Sequence, residues 1–193
     1  MDGDLGQHLA VDPDPGLGQP LGEPAVGQTL AAAGRTLVQA LDWRAAVGER
    51  WCVIGRNAAG KSTLLRALAG IGEPALQRGG QVRWHGRDSS QWPAADAARV
   101  RAFLPQQPSD RFPITVLRLL ELCMVQPRHD PRALLTALDA APLAVRNVLT
   151  LSGGERQRVA LAQSAMQGAP LLLLDEPVAF QDPAHQLQVA QWL

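Results

Sequence analysis

Residues 55–63 read Gly-Arg-Asn-Ala-Ala-Gly-Lys-Ser-Thr, and Lys61 within them is the one lysine in 193 residues. The stretch fits G-x-x-x-x-G-K-[ST], a glycine-rich turn that follows a strand and opens a helix so that backbone N–H groups converge on an anion. Elsewhere the basic side chains are arginine. A flat, forked guanidinium replaces an ammonium at most surface positions, whereas a loop wrapped around a phosphate chain has room only for a compact charge on a flexible stem. The flanks suit that architecture. Ile54 ends a short apolar run into the loop, and Lys61 to Ala69 are good helix formers stopped by Gly70.

Size and charge narrow the classes further. A chain of this length, 46% hydrophobic, can bury a sizeable core as one domain. Eighteen basic residues balance eighteen acidic ones, so no broad positive field exists to hold a nucleic-acid backbone. The apolar runs Val116 to Val125 and Leu171 to Leu174 fall short of the roughly 20 residues needed to cross a bilayer. No secretion signal opens the chain, and Cys52 and Cys123 form no metal-spaced cluster. Both cysteines are expected to be small core residues in a reducing cytoplasm.

Residues 1–27 hold six glycines, four prolines and five acids with no lysine or arginine, a composition expected to stay a disordered tail. Residues 28–193 are expected to form the folded domain, with 108–150 as a helical subdomain. Thr36 to Leu41 and Trp51 to Ile54 read as strands around a turn at Gly48, and Gln81 to His85 and Ala102 to Leu104 as further strands. Val116 to Met124 and Pro131 to Ala141 carry leucines at helical spacing, with Pro131 as a first-turn proline. Ser152-Gly153-Gly154-Glu155 has the S-x-x-E form of a capping box that opens a helix to about Gln167. Leu171 to Leu174 reads as a fully buried strand ending in Asp175-Glu176.

Three groups of residues carry chemistry. In the glycine loop, backbone N–H groups face phosphates, Lys61 neutralises the β and γ groups and Ser62 ligates magnesium. Asp175 and Glu176 leave the carboxyl end of a strand, where open α/β sheets place ligands. One acid can serve the metal and its water shell while the other orients or deprotonates an attacking water. Ser152-Gly153-Gly154 lets a backbone approach a ligand closely at the positive end of a helix, which favours an anion such as a γ-phosphate.

Taken together, Gly55 to Thr63, Gln106, Leu151 to Arg158 (L-S-G-G-E-R-Q-R) and Leu171 to Pro177 resemble the ATP-binding subunit of an ABC transporter. The resemblance covers roughly Gln28 to Leu193. It implies an α/β fold, a P-loop ATPase core with a small helical subdomain, working with ATP and Mg2+ as a head-to-tail homodimer. Gly55, Asn57, Gly60, Lys61, Ser62 and Thr63 of one copy would hold the nucleotide. Ser152, Gly153 and Gly154 of the other would close over the γ-phosphate, with Asp182 at the D-loop position. Gln106 would touch magnesium beside Ser62 and Asp175, with Glu176 as general base. The implied partners are integral-membrane permease subunits and a substrate-binding protein, with no nucleic acid. The implied place is the cytoplasmic face of the cell membrane. Arg101 to Thr115 is similar to importers of iron chelates (iron-siderophores), haem and cobalamin. A non-hydrolysing nucleotide-binding remnant and a soluble ABC ATPase of DNA repair are the alternatives.

The pattern is also broken in places. No aromatic precedes Trp43 where the family stacks the adenine, and Val178 to Gln181 replaces the usual threonine-serine-alanine-leucine. Arg56 and Ala58 stand where the family has proline and glycine, so Ala58 is expected to adopt an ordinary backbone conformation. The family's switch histidine lies some thirty residues after the glutamate. The chain is therefore expected to be C-terminally truncated, able to bind nucleotide but poor at hydrolysis alone. His185 is too near Glu176 to replace that histidine and is expected to be a solvated surface residue.

Overall fold

The computed structural model describes residues 25–32, 35–72, 76–124, 129–179 and 181–192. They fall into two compact units that divide between Arg101 and Ala102.

In the first unit, β1 (Ala25–Ala32), β2 (Arg35–Arg44), β3 (Leu76–Trp84) and β4 (Arg87–Asp88) form one antiparallel sheet in the order β2-β1-β3-β4. The sheet starts at Ala25, so Ala25 to Gly27 belong to a strand and not to the tail; residues 1–24 lie outside the described residues. Val26 pairs with Trp43 on one side and Val82 on the other. The β3–β4 hairpin turns through His85 and Gly86 at φ 51° and 75°, the two positive values that a two-residue type I′ turn needs.

The loop-to-helix transition is as expected at its far end. Helix α1 (Lys61–Leu68) ends at Ala69, and Gly70 at φ 67° turns the chain away. Trp84 Nε1 donates to Leu68 O at 3.0 Å and fastens the end of α1 to β3. Trp51 to Ile54 correct the sequence reading, because residues 51–56 carry no strand. A strand requires a ladder partner, and the four-stranded sheet gives this run none. Ile54 is accordingly 62% exposed, and Trp51 packs edge-on against Trp43 with ring centroids 5.3 Å apart. Cys52 is exposed instead of lying in a core, while Cys123 is half-buried. A short helix, α2 (Ala94–Val100), follows Pro93.

The second unit pairs β5 (Arg101–Leu104) with β6 (Leu171–Leu174) and packs α3 (Val116–Cys123), α4 (Pro131–Ala137), α5 (Gly153–Met166) and α6 (Pro183–Trp192) around them. Side chains at helical spacing build one core, in which Leu120 of α3, Leu135 of α4 and Leu161 of α5 are fully buried and Val189 of α6 joins. The helices of segment 108–150 thus share their core with α5. Each helix begins on a local cap. Thr115 Oγ1 accepts from Arg118 N, Asp130 Oδ1 accepts from Arg132 N ahead of Pro131, and Asp182 Oδ1 accepts from Ala184 N and His185 N.

Two boundaries differ from expectation. Helix α4 stops at Ala137 because Asp139 takes φ 49°, a left-handed conformation that ends a helix. In β6 only Leu173 is fully buried; β5 is its one ladder neighbour among the described residues, so the leucines beside it stay half-exposed.

Candidate functional site

Of the three groups of predicted residues, the glycine loop belongs to the first unit and the other two to the second. In the first, the glycine loop turns through Asn57 and Ala58, closed by Ala59 N donating to Arg56 O at 3.1 Å. Ala58 sits at φ 61° and Gly60 at φ 95°. The expectation of an ordinary conformation at Ala58 is therefore wrong: the turn requires the left-handed region, where an L residue pays roughly 1–2 kcal/mol. Gly60 is the N-cap of α1 and offers no side-chain acceptor to the first turn, a geometry that lets an anion approach the helix start. Lys61 Nζ folds back to donate to Gly55 O at 2.8 Å and Arg56 O at 3.1 Å. The ammonium is thereby held over the loop by carbonyls that carry no net charge, and it makes no ion pair among the described residues.

In the second unit, Asp175 N donates to Leu104 O at 2.9 Å, which carries the β5–β6 pairing one step beyond the strand. That bond sets Asp175, 2% exposed, at the strand end and brings the segment after β5 alongside the segment after β6. Gln106 Nε2 donates to Glu176 Oε2 at 2.8 Å. Glu176 itself is exposed and takes φ 51°. Its carbonyl accepts from Ala179 N at 3.0 Å and from Gln157 Nε2 at 3.2 Å. Gln106, Asp175 and Glu176 are thus assembled as neighbours.

Helix α5 presents the serine-glycine tip. Its capping box is complete: Glu155 N donates to Ser152 Oγ at 3.4 Å and Ser152 N to Glu155 Oε2 at 2.8 Å. Arg146 Nη1 holds the other carboxylate oxygen of Glu155 at 2.6 Å. The backbone bond of Ser152, followed by its side-chain bond and the Arg146 charge, keeps the Glu155 carboxyl below the usual range. Accepting from Glu155 N uses a lone pair of the Ser152 hydroxyl and leaves its O–H available to donate outward. Asp182 lies at the mouth of α6, where its bonds to the His185 backbone and ring hold its carboxyl low.

Sequence reasoning missed several participants. His185 stays partly exposed, as expected of a surface residue, but its ring is paired there: Nδ1 lies 2.6 Å from Asp182 Oδ2 and Nε2 lies 3.1 Å from Asp139 Oδ2, and these bonds raise its pKa, the Asp182 bond most. Arg156 forms a largely buried ion pair with Asp110 on the floor of a cavity of about 410 Å³, walled by Pro105, Pro108, Leu122 and Gln163. Burial pushes the Cys123 thiol in that wall up. In the sequence Gln157 is one residue of the L-S-G-G-E-R-Q-R stretch. Its spacing from Leu161 and Ser164 puts it on the inward face of α5, a signal that was legible.

A glycine loop with its lysine at a helix start, and an aspartate-glutamate pair at the end of an apolar strand, define a nucleotide-binding protein of the P-loop class. The chain belongs to the ABC transporter family, whose model matches residues 38–179. It is 42% identical over 179 residues to the hemin import ATP-binding protein HmuV of Streptomyces coelicolor, covering 84% of this chain and 63% of that protein. It is 40% identical over 150 residues to the cobalamin import ATP-binding protein BtuD of Halobacterium salinarum, covering 72% of this chain and 36% of that one. The chain thus spans less than two thirds of the length of these relatives. A bacterial Atm1-family ABC exporter with ATP bound shares the fold, with a TM-score of 0.71 at 21% identity over 95% of this chain and 34% of that one. No helix among the described residues is long and apolar enough to cross a membrane.

Proposed function

We propose that this chain is the ATP-binding part of an importer ATPase, which hydrolyses ATP to drive uptake through permease subunits. The single observation that carries the reading is the Lys61 ammonium poised over an uncapped helix start with no acid in its first turn. Gly55, Asn57, Gly60, Ser62 and Thr63 surround the phosphates with it. In a homodimer, Ser152, Gly153 and Gly154 of the second copy donate to the γ-phosphate, with Asp182 beside them.

Magnesium fits the donor set. Ser62 hydroxyl, Gln106 amide oxygen and Asp175 carboxylate are hard oxygen ligands, and Gln106 spends its amide nitrogen, not its oxygen, on Glu176. No cluster of three acidic, histidine or cysteine side chains able to hold a metal occurs among the described residues. That suits an ion carried partly by substrate phosphates, which supplies electrostatic stabilisation of the transferring group. Glu176 accepts the proton of the attacking water while Gln106 orients its carboxylate.

Relatives named for hemin and cobalamin import support a metal-tetrapyrrole cargo, delivered by a substrate-binding protein to the permease. An iron-siderophore is the neighbouring alternative. The chain would then sit at the cytoplasmic face of the membrane. The DNA-repair reading lacks its coiled-coil arms, since the longest described helix is α5 with 14 residues. The test is an ATP titration of Lys61→Ala against the parent chain. Affinity is expected to fall at least tenfold; unchanged affinity in a folded sample refutes the reading.

A further inference from the structure

We infer that Gln157 is a positioning residue for hydrolysis, a buried strut that sets the backbone of Glu176 from the signature helix. This rests on the proposed ATPase reading and deepens it. Gln157 is 1% exposed on the second turn of α5, and its Nε2 reaches the Glu176 carbonyl at 3.2 Å, part of the way across the unit's interior. The same carbonyl accepts from Ala179 N, so the peptide after Glu176 is held from both sides.

A strut is needed because Glu176 takes φ 51°, a left-handed conformation that costs a non-glycine residue about 1–2 kcal/mol and persists only where its surroundings over-determine it. Gln106 fixes the carboxylate end of Glu176 and Gln157 the backbone end. With both ends tied, the carboxylate direction follows from two hydrogen bonds and one strained dihedral.

Gln157 is also costly to keep. Its Oε1 is buried and has no hydrogen-bond partner among the described residues, so half of its amide is desolvated without compensation. An apolar residue of the same length would pack there without that cost. A glutamine that costs stability at its own position and bonds the backbone of a strained, reactive residue is explained by position, not by packing.

The placement has a consequence for the dimer. Ser152 at the tip of α5 serves the nucleotide bound by the second copy, while Glu176 serves the nucleotide of its own copy. Gln157 joins the two within one chain, so that closure on one nucleotide bears on the glutamate of the other.

The experiment compares the full parent chain with Gln157→Met and Gln157→Glu. Methionine keeps the length and shape and deletes the donor. Gln157→Met is expected to bind ATP within twofold of the parent, unfold at the same or a higher temperature, and lose about 10- to 100-fold in kcat, the scale of a misplaced reactive group. Gln157→Glu regains the donor only when its buried carboxyl is protonated, so its kcat relative to the parent is expected to rise as pH falls from 8 to 6. A merely structural glutamine would instead lower the unfolding temperature and leave that ratio flat. Parent-like kcat in Gln157→Met overturns the proposal. If the parent binds ATP without turnover, the hydrolysis reading fails by itself, and amide exchange at Ala179 decides instead. Faster exchange in Gln157→Met supports the strut, and equal exchange overturns it.

Discussion

Gln106 and Glu176, 70 residues apart in the chain, meet through a 2.8 Å hydrogen bond from the glutamine amide to the glutamate carboxylate. The meeting is made by the backbone. Leu104 and Asp175 continue the β5–β6 pairing, so the chains leaving both strands emerge together. The bond holds Glu176 as an acceptor and leaves its second oxygen for a water.

Glu176→Gln preserves the size of the side chain and removes the only form able to take a proton. ATP affinity is expected to stay within about threefold, and turnover to fall by 10²-fold or more, the usual contribution of a general base. Comparing bound nucleotide with released phosphate checks both halves. Turnover at the parent rate would remove Glu176 from the role of base.

Much of the local structure was legible because its signals lie within a few residues. A serine three residues before a glutamate closes its own box, and both bonds are present. Asp130 ahead of Pro131 and Gly70 after α1 are likewise decisions made within four or five residues. What escaped was non-local. Trp51 to Ile54 has strand-like composition, yet a ladder depends on a neighbour that composition cannot supply. The partners of His185 lie 3 and 46 residues away, and only the fold brings Asp139 to its ring. The conformation at Ala58 follows from loop closure, which overrides what alanine prefers by itself.

Ala58→Gly relieves that conflict. At φ 61° alanine pays about 1–2 kcal/mol, while glycine adds roughly 0.5–1 kcal/mol of unfolded-chain entropy in the opposite direction. A net gain of about 0.5–1 kcal/mol is expected, or a rise of a few degrees in Tm for a chain of this size. Thermal unfolding of the two proteins in parallel checks the sign. A fall in Tm would show that the strain at Ala58 is absent in solution.

His185 makes the link between the start of α6 and the end of α4 dependent on pH. Its pKa is raised by the Asp182 bond first and the Asp139 bond second, against partial burial and the charge of Arg158. The sign follows from that direction. The protonated ring gains stability in the folded state, fully present below the ordinary histidine value and lost as pH rises through the raised one. His185→Asn is therefore expected to destabilise the chain more at pH 6 than at pH 8.5, measured by urea unfolding at each pH. A difference that stays constant across that interval excludes the charged bridge.

Gly70→Ala separates two costs that usually arrive together. At φ 67° a side chain is strained whatever the space, and a Cβ built there lies 2.7 Å from Cη2 and 3.1 Å from Cζ2 of Trp84. Trp84 is buried and cannot swing away without breaking its bond to Leu68 O. The backbone term is about 1–2 kcal/mol, and overpacking of a rigid ring adds about 1–3 kcal/mol. Gly86→Ala supplies the control, since Gly86 has a similar φ of 75° with nothing within 4 Å of its Cβ position. Gly70→Ala is expected to lose at least 1 kcal/mol more than Gly86→Ala in denaturant unfolding, with that excess abolished in a Trp84→Leu background where the ring is gone. Equal losses in the two glycine variants would mean that Trp84 yields at no cost, and that the tryptophan does not clamp the end of α1.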